Sequence, residues 1–363
     1  MPHVHAIVES PVPRSFRVDQ IASMFDLPAP EHSNETFDVD LPDTNDDWQI
    51  GVIVGPSGSG KSTVARYAYG EQLYQRAKWP DDDSILNGFD RHLSTRQIVQ
   101  VLNAVGFSSP PAWLRPYRVL SGGQQMRCDL ARAILGEKTI VVFDEFTSVV
   151  DRTVAKACSN CVQRTVRSQR FNCRQFVAVT CHYDIVQWLE PDWVLDMATC
   201  DLARGRLRRA ERLNIEVRKC NKALWPMFAS HHYLSHSLHA AARCYAAILN
   251  NEPVGFLATL AQMGFKGQRR VHRLVVQPDY QGLGIGRVLL NSIATHEKQE
   301  GYRVRIRTSH PGLIHSLKRS DHWMATNISR GNGRGHEGLN KKRAAKYTDS
   351  TGRITVGFEY TGE

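Results

Sequence analysis

Gly55-Pro56-Ser57-Gly58-Ser59-Gly60-Lys61-Ser62-Thr63 satisfies G-x-x-x-x-G-K-[ST], between the apolar run "WQIGVIVG" and the proline-free, helically spaced "KSTVARYAYGEQLYQRA". Such a loop wraps phosphate oxygens with backbone N–H groups, Lys61 reaches the terminal phosphates and Ser62 holds Mg²⁺. A second glycine loop lies far downstream in "VVQPDYQGLGIGRVLL", residues 275–290. It lacks the Lys-Ser pair, and Arg287 stands where a dinucleotide fingerprint needs its third glycine. Entering an apolar helix, it offers a second anion site, suited to a pyrophosphate.

Three further stretches add chemistry to the first loop. "VLSGGQQMRCDLARAIL" carries Leu120-Ser121-Gly122-Gly123-Gln124, "TIVVFDEFTSVVD" ends an apolar strand on Asp144 and Glu145, and His182 ends the next such strand. A carboxylate or histidine at one strand end is commonly structural; the order and spacing of the set are not. Over residues 48–198 it resembles the ATP-binding cassette (ABC) ATPases, with Walker A, signature, Walker B, a D-loop at Ser148–Asp151 and an H-loop. The resemblance implies ATP with Mg²⁺ on Ser62 and Asp144, Glu145 polarising the attacking water, and His182 on the γ-phosphate. It also implies a homodimer in which Ser121, Gly122, Gly123 and Gln124 of one copy cap the ATP held by the other. Two departures stand out: only 60 positions separate Lys61 from Ser121, and no Q-loop glutamine is evident. Both weaken any coupling to a transmembrane partner. Phe25 is a candidate for stacking on adenine.

The second loop matches Q-x-x-G-x-G through Gln281, Gly284 and Gly286, after the strand "VHRLVV". It resembles motif A of the GNAT superfamily, the Gcn5-related acetyltransferases, and the resemblance extends over residues 213–360. This implies acetyl-CoA or another acyl-CoA, its pyrophosphate on Gln281, Gly282, Leu283, Gly284, Ile285 and Gly286 at the helix N-terminus, and its pantetheine along Val275 and Val276. The tyrosine that often serves as general acid is absent from "PGLIHSLKRS", so Ser309, His310 and His315 are the proton-carrying candidates, and no Asp or Glu marks a base in the fourth strand. His231, His232, Tyr233 and Ser235 fall where the acceptor wall forms, able to stack on and hydrogen-bond a nucleobase, or equally to form a polar helix face. With "RTSHPGLIHSL", this stretch resembles the GNAT-like Mom proteins of phages, which modify adenine in DNA.

The elements that must position these groups fall into two patterns. From Trp48, apolar strands alternate with helical segments, as in a parallel α/β sheet. After the basic linker "CDLARGRLRRAER" the chain reads as α+β, with a hairpin at Asn250-Asn251 and a helix over 285–299. The expected architecture is an α/β P-loop NTPase domain of ABC type (48–204) behind an acidic segment (1–47), followed by an α+β GNAT domain (205–363) with a glycine- and base-rich loop at 329–347.

Charge follows the same division. Residues 1–204 hold 20 basic against 25 acidic side chains, net −5, and residues 205–363 hold 26 against 11, net +15, which accounts for the overall +10. Such a basic half suits a nucleic acid partner or an anionic cofactor; the arginines of "RVRIR" equally suit the outer face of a strand. No run approaches the length needed to span a bilayer and no secretory signal is evident, so the expected location is the cytoplasm, away from membrane. The eight cysteines are then expected reduced, and Cys158-x-x-Cys161 lacks the partners of a zinc site. Three functions stay open: an ATP-dependent acyltransferase acting on an amine, a transporter's ATPase subunit with an accessory domain, and a non-enzymatic DNA clamp.

Overall fold

The computed structural model describes residues 3–11, 15–25, 32–76, 78–205, 214–232, 236–330 and 354–362. Arg208 and Arg209 of the linker, Tyr233, Ser235 and most of the 329–347 loop lie outside them. In chain order the first elements are β1 (His3–Pro11), α1 (Phe16–Met24), β2 (His32–Asp40), β3 (Ile50–Val54), α2 (Lys61–Tyr69), α3 (Thr95–Ala104), α4 (Pro110–Trp113), α5 (Gly122–Leu135), β4 (Ile140–Phe143), α6 (Arg152–Arg167), β5 (Gln175–Thr180), α7 (Ile185–Leu189), β6 (Trp193–Asp196) and β7 (Asp201–Arg204). There follow β8 (Glu216–Lys219), α8 (Pro226–Ala229), β9 (Arg243–Leu249), β10 (Glu252–Ala261), β11 (Gln268–Val276), α9 (Ile285–Gln299), β12 (Arg303–Thr308), α10 (Pro311–Lys318), β13 (Trp323–Arg330) and β14 (Ile354–Tyr360).

Two compact units form: Met1–Lys78 with Arg132–Ala210, and Trp79–Ala131 with Glu211–Glu363. In the first, the sheet order is β4-β5-β3-β6-β7, parallel apart from β7. β3 and β5 are buried along their whole length, which is why "IGVIV" and "QFVAVT" read as near-continuous rather than alternating apolar runs. Gly51 has a packing reason: a Cβ there would lie 2.0 Å from the Trp193 indole, which stacks edge-on against Trp48 at 5.4 Å. Asp151 caps α6 by accepting from the Thr153 and Val154 N–H groups. Cys158 and Cys161 lie on the buried face of α6 with Val154, Val162 and Val166, where they act as small apolar side chains. Among the described residues no group of three or more His, Cys, Asp and Glu could hold a metal ion, and no helix is long and apolar enough to cross a membrane.

The second unit is built on a seven-stranded sheet, β13-β14-β12-β11-β10-β9-β8. Every pairing is antiparallel except β11 with β12, which α9 connects. That parallel pairing covers only Gln268–Arg270 with Arg303–Arg305, although β11 continues to Val276 and β12 to Thr308. Past Arg270 the paired register ends, and residues of both strands line a cavity. The β9–β10 turn forms at Asn250 (φ 50°) and Asn251 (φ 65°), left-handed positions that asparagine tolerates. A bulge in β11 breaks the register between Ala258↔Arg273 and Thr259↔Val271, leaving His272 as the extra residue. Behind the sheet, Leu289, Leu290 and Ile293 of α9 meet Leu257, Val304 and Phe358. Strand β13 is absent from the sequence-based reading because its residues are mostly exposed and polar, with no period-2 signal.

Candidate functional sites

In the first unit, β3, β4 and β5 run parallel, so Gly55–Thr63, Asp144 and His182 all follow strand C-termini at one edge of the sheet, the position expected for a ligand in an open α/β fold. Gly58 (φ 81°) and Gly60 (φ 78°) adopt the left-handed conformation, and Lys61 opens α2. A Cβ on Gly60 would lie 2.2 Å from the Phe37 ring. The Lys61 ammonium donates to the Pro56 carbonyl, folding back over the loop. Ser62 Oγ donates to Asp144 Oδ1 at 3.0 Å, bringing together the two oxygens expected to hold Mg²⁺. The Glu145 N–H donates to the same carboxylate at 2.9 Å, and Glu145 itself is exposed at φ 55°. His182 is half-buried, its N–H donating to Thr180 Oγ1. These residues fit a nucleoside triphosphate with its divalent ion. Phe25 is exposed at the end of α1.

The signature residues belong to the second unit. The Ser121 N–H donates to Gln124 Oε1 and the Gln124 N–H to Ser121 Oγ, a reciprocal cap that opens α5 together with Gly122 and Gly123.

The splay of β11 and β12 holds a cavity of about 380 Å³. Val275, Val276, Gln281, Gly282, Gly284, Ile285 and Gly286 line it, together with His232 and His310; Leu283 and Ser309 are not among its lining residues. Gly284 precedes α9 at φ 84°, and Gly286 faces Val276 closely enough that a Cβ would lie 3.3 Å from it. Gly284 gives this 15-residue helix no side-chain cap, and the residues of its first turn line the cavity, an arrangement that suits a pyrophosphate. Gln281 Nε2 donates to the Val276 carbonyl, tying the loop to the strand end.

The histidines divide by role. Leu313 N–H donates to His310 Nδ1, so His310 caps α10, and its Nε2 pairs with the Ser108 carbonyl at 3.1 Å. With both ring nitrogens engaged it suits a positioning role better than proton transfer. His232 is buried, edge-on to Trp225 at 6.0 Å. His272, absent from the sequence-based candidates, lines the cavity because the bulge re-aims it; the only hint in sequence was its place in "VHRLVV". Burial first, then the adjacent Arg273 and Arg270, push its imidazole down to about 4. It is therefore neutral at neutral pH, as a proton acceptor must be; its Nε2 accepts from the His239 N–H at a long 3.4 Å and its Nδ1 lies 3.3 Å from Arg273 Nη1. Arg273 braces this wall by donating to the Ser237 and His272 carbonyls.

Burial also lowers His231 and His310. Groups whose folded pKa lies below the unfolded value take up protons first in the unfolded chain, so stability rises with pH through that window. Thermal stability should therefore fall as pH drops from about 6.5 toward 4, and His272→Asn should flatten that slope. A melting temperature equally pH-sensitive in the variant would show that His272 is not the source.

Residues 210–317 match the acetyltransferase (GNAT) family. The chain is 27% identical over 178 residues to YjkB of Bacillus subtilis, provisionally named an ABC transporter ATP-binding protein, across 39% of this chain and 70% of that protein. It is 32% identical over 145 residues to the zinc import ATP-binding protein ZnuC of Haemophilus influenzae, across 34% of this chain and 52% of that one. Other curated relatives are spanned over 11% to 62% of their own length. The solved structure of the ribosomal-protein-S18-alanine N-acetyltransferase from Escherichia coli aligns with 14% identity and a TM-score of 0.30, covering 41% of this chain and 97% of that one.

Proposed function

We propose, for a chain that joins an ABC-ATPase-like region to a GNAT acetyltransferase domain, that it binds and hydrolyses ATP and transfers an acyl group from an acyl-CoA to an amine. The carrying observation is the splayed β11/β12 cavity, where a strand end, a bulged histidine and a glycine-led helix N-terminus converge. Acyl-CoA would supply a thioester carbon activated toward amines. The N–H groups around Gly284 and Gly286 would hold its pyrophosphate, and the β11 end at Val275 and Val276 would align its pantetheine. Release of its long 3.4 Å contact with the His239 N–H would free Nε2 of His272, neutral in the cavity, to accept the amine's proton as the new C–N bond forms and the C–S bond breaks; the departing thiolate takes that proton up in turn. Lys61, Ser62 and Asp144 would hold MgATP, with Glu145 polarising the attacking water and His182 beside the γ-phosphate.

A nucleic acid base is the acceptor we favour, supported by the basic C-terminal half and by the exposed Arg303 and Arg307 of β12. Homodimerisation through ATP, gating of transfer by the ATPase cycle, and a cytoplasmic location complete the reading. Mass spectrometry of nucleosides from cells expressing the protein, beside a Lys61→Ala control, tests substrate and coupling together. A new acylated base made only with intact Lys61 is the expected result. Labelled acyl-CoA that neither binds nor labels DNA, RNA or protein would overturn the transferase assignment.

A further inference from the structure

The cavity between β11 and β12 is not walled by the C-terminal half alone. Asn103, Ser108 and Pro110 line it as well, and they come from the helical segment between Lys61 and Ser121, which packs within the same compact unit. The attachment is specific. The Ser108 N–H donates to Gln281 Oε1 at 2.9 Å, and the Ser108 carbonyl pairs with His310 Nε2 at 3.1 Å. One residue thus holds both the start of the glycine loop and the cap of α10. Arg127, buried in α5, donates to the Asp279 carbonyl two residues before Gln281.

Asn103 sits at the end of α3 in this wall. Its Nδ2 donates to the Val99 carbonyl at 2.7 Å, but its Oδ1 is buried without a hydrogen-bond partner. A buried acceptor left unpaired is costly, and a native fold that keeps one calls for a reason. Gly312 packs closely against this side chain: a Cβ there would lie 2.9 Å from Asn103 Oδ1 and 3.2 Å from the His310 ring, so only glycine lets the start of α10 approach the oxygen. Leucine has the same branching without the orphan atom, which leaves the polar end of asparagine unexplained by packing alone.

We propose that Asn103 is a cofactor-binding residue, its Oδ1 accepting an N–H from the amide-bearing arm of an acyl-CoA held between Gln281 and the start of α10. Asn103, Ser108, Gln281 and Gly312 all line the one cavity. The consequence is that a segment lying between two nucleotide motifs in sequence forms part of the acyl-CoA site. The inference rests on acyl-CoA binding as read above.

Calorimetric titration of acetyl-CoA into the full chain, Asn103→Leu and Asn103→Ala tests it, with melting temperatures measured in parallel. Asn103→Leu should bind acetyl-CoA about ten-fold more weakly or worse, the loss expected for one buried hydrogen bond. Its melting temperature without ligand should be unchanged or raised, because an unsatisfied polar atom has gone. A merely structural role predicts the reverse pattern, lower stability with unaltered affinity, and would overturn the proposal. Should Asn103→Leu fail to fold, Asn103→Ala carries the same comparison, and wild-type affinity in that variant overturns it too. Absence of acetyl-CoA binding in the unmodified chain would instead sink the transferase reading on which the proposal rests.

Discussion

Glu145→Gln is expected to lower ATP turnover by about 10²- to 10⁴-fold, the usual contribution of a positioned general base, while nucleotide binding survives. The substitution keeps size and backbone while removing the charge proposed to polarise water. Asp144 accepts from both Ser62 Oγ and the Glu145 N–H, so its carboxylate is already engaged, and Glu145 is the second carboxylate at the strand end. Its left-handed backbone at φ 55° sets it apart from the strand that precedes it. Phosphate release from purified protein measures turnover, and light scattering with ATP measures association, since blocked hydrolysis should accumulate an ATP-bound dimer. A variant that stays monomeric and hydrolyses ATP at the parental rate would rule out both the role of Glu145 and the sandwich.

The second large effect belongs to the other glycine loop. Gly284→Val should abolish measurable acetyl-CoA binding while ATP hydrolysis continues. Two causes combine. Gly284 sits at φ 84°, where a β-branched side chain costs about 1–3 kcal/mol of backbone strain. A side chain there also stands at the helix N-terminus, where the pyrophosphate must approach N–H groups closely. Gly267→Val is the matched control, because Gly267 also has positive φ (70°) with open space around it but lies outside the cavity. It should lose stability without losing acetyl-CoA affinity. Equal loss of affinity in both variants would show that strain alone, and not the anion site, explains the Gly284 effect.

Much of this protein was legible because its chemistry is local in sequence. A phosphate loop needs its glycines, lysine and hydroxyl within nine residues, and a buried parallel strand must be apolar throughout, so Gly55–Thr63, "TIVVFDE" and "QFVAVTCH" announce themselves. The helix over 285–299 was equally plain, because its apolar residues recur at helical spacing without a proline. The Asn250-Asn251 turn is legible for the same reason, since two adjacent positive-φ positions need residues that tolerate them.

What sequence could not reveal depends on contacts between distant residues. His272 looks like any strand residue until a one-residue register shift against β10 turns it into the cavity. His310 looks like a proton carrier until its two nitrogens are found on Leu313 and Ser108, the latter more than two hundred positions away. Asn103 is an unremarked helix residue until packing buries one of its oxygens beside Gly312. The order of the motifs determined that one chain carries two glycine loops, each entering a helix. Only the tertiary structure decided that the helical segment between the nucleotide motifs packs with the C-terminal half and walls its cavity, because burial and register are set by which surfaces meet, and no local spacing encodes that meeting.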